Sequence, residues 1–157
     1  MTDLPNSTIE IGYESQLWIG AQEVFEMMVG GQLTACDTEN PDCGDVTAMI
    51  GLAGDLCGLV RIYCSLECAG QIASAMLGTS VTGLDDGALD AIGEICNMVA
   101  GNFKAKISGL ADRCVLSPPT VIRGSDYDVR TVGDGLSVDT LKSFQGCPLR
   151  ITLTVHQ

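Results

Sequence analysis

The chain has 157 residues, with eight Lys+Arg against twenty Asp+Glu and a formal charge of −12. That length suits one ordinary domain with its own core, and that charge repels phosphate backbones and anionic bilayers, which excludes general nucleic-acid binding and membrane-surface adhesion. The single histidine, His156, is the penultimate residue, so His-dependent triads and His-rich zinc sites are excluded unless a chain end carries them.

Taken in chain order, residues 1–10 show no basic or apolar region of a secretory signal. No run of about eighteen uncharged apolar residues follows, and the chain reads as cytoplasmic. Over residues 14–29, Leu17, Trp18, Ala21, Val24, Phe25 and Met28 recur at helical spacing, and Gly30-Gly31 ends the helix. Residues 36–45 are acidic and hold Pro41 and Gly44, the composition of a solvated loop. Two apolar runs, 46–53 and 56–64, joined at Gly54-Asp55, predict a β-hairpin. Residues 66–77 have helical spacing and stop at Gly78, and a polar connector spans 79–84. A long helix is predicted over 85–107, with Asp85 and Asp86 at its start and Lys104 and Lys106 at its end, each matching the helix dipole. After Ser117-Pro118-Pro119 the chain turns β again, and 138–145 with 148–155 make a second hairpin near Gly146.

Helix, hairpin, helix, hairpin reads as an internal duplication. Glu23-Val-Phe-Glu26-Met-Met-Val-Gly30 aligns with Glu94-Ile-Cys-Asn97-Met-Val-Ala-Gly101, and Leu59-Val-Arg-Ile-Tyr63 with Pro148-Leu-Arg-Ile-Thr152. The expected fold is α+β: one domain of two pseudo-repeats (about 14–64 and 85–156) bridged by the 66–77 helix, with long helices on a largely antiparallel sheet.

The long helix carries the chemistry. Asp90, Glu94, Asn97, Gly101 and Lys104 project within an arc of roughly 80°, opposite a stripe of Leu89, Ile92, Cys96, Val99 and Phe103. A polar row is also what any surface helix shows. Glycine in a helix interior costs about 1 kcal/mol relative to alanine, and close approach of another backbone is one reason to keep Gly101. The eight cysteines form no Cys-x-x-Cys pair; they read as small core residues rather than disulfides or zinc ligands, although Cys64 and Cys68 could share a helix face. A metal or redox protein using these thiols is a competing reading. Gly30-Gly31 and Gly133-Asp-Gly135 lack the lysine and the context of phosphate-binding loops.

The pattern Asp90-x-x-x-Glu94-x-x-Asn97-x-x-x-Gly101, followed by Leu116-Ser-Pro-Pro-Thr-Val, resembles the signature of the CheC/CheX/FliY chemotaxis phosphatases. CheC-type members carry the Glu/Asn signature twice. Here the first copy reads Glu23-x-x-Glu26 and only the second is intact, which resembles CheX. The resemblance implies a cytoplasmic homodimer that hydrolyses the aspartyl-phosphate of a CheY-like response regulator. It implies that Asn97 positions the attacking water and that Glu94 pairs with a regulator lysine. Asp90, Gly101 and Lys104 would serve the partner contact, Lys104 as a rim contact or a dipole partner. No cofactor of its own is expected, the regulator holding the Mg²⁺. The alternative is a non-catalytic module of this fold that docks a regulator or a flagellar switch component.

Overall fold

The computed structural model describes residues 6–39, 41, 43–81, 85–107, 109–124, 126–130 and 135–156, with side chains described from Gly12 onward. The connector's residues 82–84 and the glycine loop's 133–134 lie outside them. In order the chain forms α1 (Asn6–Val24), a π-helical turn (Phe25–Val29), β1 (Leu33–Ala35), β2 (Val46–Gly54), β3 (Gly58–Cys64), α2 (Leu66–Leu77), α3 (Asp86–Lys106), β4 (Cys114–Leu116), β5 (Thr120–Arg123), β6 (Gly135–Phe144) and β7 (Cys147–His156). The strands make one antiparallel sheet in the order β1-β6-β7-β3-β2-β4, with β5 also on β2. The expected α+β architecture is the observed one.

Both hairpins form. β2 pairs β3 from Val46↔Cys64 to Leu52↔Gly58, and β6 pairs β7 through a Gln145-Gly146 turn. Both turn residues have positive φ, 49° and 81°, which matches the twist of the flanking strands. The two look-alike segments meet at the centre of the sheet, where β3 pairs β7 with Arg61↔Thr152 and Tyr63↔Arg150.

Period-two alternation divides the sheet. Val46, Ala48, Ile50, Val60, Ile62, Leu149, Ile151 and Leu153 are buried in one cluster with Leu17, Phe25, Ile72, Ile92, Ile95 and Phe103 of the helices. The other face carries Thr47, Arg61, Thr152 and Thr154, buried although polar. There Arg61 donates to Thr154 Oγ1 at 3.1 Å and Thr47 hydrogen-bonds Tyr127.

The helices end where their residues dictate. Ser65 Oγ accepts from the Cys68 amide at 3.1 Å, and Asp85 Oδ1 from the Ala88 amide at 2.8 Å, two N-caps. Gly30 and Gly78 close the π-turn and α2 in left-handed conformation. Cys64 ends β3, so it does not share a helix face with Cys68 of α2 as the spacing allowed.

The first helix departs from its reading at both ends. It starts at Asn6 rather than residue 14, and Tyr13, one turn ahead of Leu17, packs edge-on against Phe103 at 5.9 Å. Its last turn is π-helical, with the Gly30 amide bonded to the Phe25 carbonyl five residues back at 2.9 Å. The extra residue per turn moves Met28 off the apolar stripe to which helical spacing assigned it; Met28 is 42% exposed. β1 and β4 were not anticipated, because three residues carry no measurable periodicity.

Candidate functional site

α3 is oriented by its neighbours on three sides. Its apolar stripe, Ile92, Cys96, Val99 and Phe103, is buried against the sheet and α1. At Gly93, a Cβ would lie 3.2 Å from Val121 and 3.3 Å from Pro119, so this glycine lets the strand after the two prolines close on the helix. Gly20 of α1 faces the backbone of α3, where a Cβ would come 3.4 Å from the Phe103 amide nitrogen. The close backbone approach expected at Gly101 thus occurs at Gly20. Gly101 has room, its nearest neighbour being Leu116 Cδ1 at 3.8 Å from a built Cβ.

With the buried side of α3 fixed, the polar row faces outward. Asp90 and Glu94 are exposed and Asn97 is half-buried. Among the described residues, none of the three carboxylate and carboxamide groups has a hydrogen bond or ion pair within the chain. Asn97 and Gly101 share one wall of a groove of about 480 Å³, which also takes in Met27, Met28 and Leu116. Lys104 behaves differently. Its ammonium donates to the Cys114 carbonyl at 2.6 Å, so it ties α3 to β4 rather than extending from the row.

The look-alike segment of the first helix differs, because its acids are engaged within the chain. Glu23, which aligns with Glu94, accepts from Asn102 Nδ2 at 2.8 Å and from Lys106 Nζ at 2.9 Å. Asn102 also donates to the Gly20 carbonyl at 3.0 Å, completing a polar clamp across the tight crossing of α1 and α3. The Lys106 and then the Asn102 hydrogen bonds hold the Glu23 carboxyl below the usual carboxylate range. Glu26, at the place of Asn97, accepts from Gln22 at 2.9 Å. Sequence reasoning missed this clamp; Gly20 within an otherwise regular apolar stripe was its one visible sign.

All eight cysteines are free thiols, and Cys43, Cys64, Cys68, Cys96, Cys114 and Cys147 are buried. Burial pushes the Cys96 thiol up to about 12, and the adjacent Cys64 together with burial raises Cys68, so both stay protonated and unreactive near neutrality. No three His, Cys, Asp or Glu converge as a metal-ligand set among the described residues. None of the described helices is long and apolar enough to cross a membrane.

Three helices on one antiparallel sheet make the fold of the CheX- and CheC-like domains. CheX of Vibrio vulnificus superposes with a TM-score of 0.79 at 24% identity, over 92% of this chain and 96% of that one. A chain of the CheX–CheY–BeF3–Mg²⁺ complex from Borrelia burgdorferi does so at 0.78 and 20% identity, over 92% and 98%. Residues 46–140 match the family described as chemotaxis phosphatase CheX. The CheY-P phosphatase CheX of Thermotoga maritima is 36% identical over 110 residues, 69% of this chain and 70% of that protein. The chain belongs to the chemotaxis phosphatase CheX family.

Proposed function

We propose that this protein is a phosphatase that hydrolyses the aspartyl-phosphate of a CheY-like response regulator. The observation that carries the reading is the contrast between the two copies: Glu23 and Glu26 are engaged within the chain, while Glu94 and Asn97 are presented unengaged on a helix fixed from behind. Kinship with the CheY-P phosphatase of Thermotoga maritima supports the substrate class.

An acyl phosphate is an activated ester, so its hydrolysis needs chiefly an in-line water and stabilised charge. That demand suits a groove lined, among the described residues, by no histidine and no nucleophile. The Asn97 carboxamide offers donor and acceptor together and holds the water in line with the phosphorus. The water's oxygen forms the new P–O bond, the bond to the aspartyl carboxylate breaks, and the water's proton passes to phosphate oxygen. Glu94 pairs with the regulator's lysine and sets the docking register. Asp90 and Gly101 lie on the contact face; Lys104 bears on it through its hold on β4. The Mg²⁺ and the phospho-aspartate belong to the regulator. The working unit is a homodimer, which the long edge of β6 favours: among the described residues only 142–144 pair outward, with β1.

The test follows decay of a phosphorylated regulator with Mg²⁺ in the presence and absence of the protein. Faster release of phosphate at substoichiometric protein is expected. Decay at the spontaneous rate with retained binding would make the protein a docking module instead.

A further inference from the structure

The groove beside Asn97 contains a feature that the polar pair does not use. Met27 is 80% exposed and Met28 42%, and both line the groove with Asn97, Met98, Gly101 and Leu116. A regular α-helix would keep Met28 on the buried stripe. The π-turn instead turns Met28 to solvent beside the already outward-facing Met27, and such turns recur at functional sites. Glu23, the sole carboxylate on this wall among the described residues, is already matched by Lys106 and Asn102. In a chain of charge −12, the groove is therefore an apolar surface without an uncompensated charge. Long unbranched thioethers suit such a surface, since they adapt to the side chain they receive.

We propose that Met27 and Met28 are the apolar anchor for the phosphorylated response regulator, receiving a hydrophobic side chain from the rim of its phosphorylation site. The proposal rests on the reading of Asn97 given above. The occupant follows from continuity: a specific interface covers roughly 800 Å² per partner, and Asn97 opens into the same groove as the methionines. A regulator whose phosphoryl group reaches Asn97 must lie over them. The anchor also supplies affinity that exposed charges contribute only weakly.

The experiment titrates the full-length protein with a regulator held active by beryllofluoride and Mg²⁺, and measures steady-state phosphate release in parallel. Met27→Ser/Met28→Ser is expected to weaken binding about tenfold and to place its loss on KM, with Asn97→Ala placing its loss on kcat. Met27→Leu/Met28→Leu should bind within about twofold of wild type. Thermal unfolding of the serine variant at the wild-type temperature confirms that the fold is intact. Wild-type affinity in the serine variant would overturn the anchor. Binding without hydrolysis by the wild-type protein would overturn the phosphatase reading alone, the serine variant still deciding the anchor. Failure of the wild-type protein to bind any regulator of its own genome would overturn both.

Discussion

Glu23 and Glu94 hold matching places in two look-alike helices and have opposite fates. One is spent on Asn102 and Lys106; the other faces solvent unengaged. Replacing Glu26 by Asn should therefore create no second site, and the rate of regulator dephosphorylation per chain should stay at the wild-type value, because the matching glutamate is not available. Glu94→Ala should raise the half-saturating regulator concentration with a smaller effect on the maximal rate, read from a dephosphorylation titration. The Glu23 clamp has a pH signature. Its folded carboxyl titrates below the ordinary range, so its stabilisation is complete above about pH 4.3 and is lost as the pH falls through the lowered folded value. The stability difference between wild type and Glu23→Gln should narrow in that acid range, measured by urea unfolding. Glu94 and Asn97 were legible because a helical period alone puts them on one face. The clamp was not, because it depends on where Gly20 lets two helices cross.

The elements show the same division. The 66–77 helix, both hairpins and the long helix were read within a few residues, because each joins a sustained period to a turn or cap signal such as Asp85, Gly78 or Gly146. The π-turn escaped, since Phe25 to Val29 continues an acceptable α-helical pattern and only the Phe25–Gly30 hydrogen bond breaks it. A methyl group fits at Gly101 without displacing Leu116, so Gly101→Ala should stabilise the fold by up to about 1 kcal/mol while weakening regulator binding. Chemical denaturation and a binding titration together check this, and unchanged binding would remove Gly101 from the contact face. Asp85→Ala, by contrast, should cost about 1 kcal/mol through loss of its cap on Ala88.

At the scale of the molecule, the charge of −12 is distributed unevenly about the groove. Asp90 and Glu94 stand unpaired on the presented face, while Glu23 at the groove is neutralised from within. The absence of a usable histidine fits a chemistry in which the partner brings the activated phosphate and this chain brings geometry. The proposed homodimer would sediment at twice 16.4 kDa; a mass of one chain at working concentration would contradict it. Whether Asn97 acts on the water and not on affinity is decided by two readings on Asn97→Ala: its hydrolysis of the phosphorylated regulator, and its binding of the same regulator held active by beryllofluoride. The expected result is a loss in rate of about a hundredfold with affinity close to wild type. A wild-type rate in that variant, or a loss explained wholly by weaker binding, would contradict it.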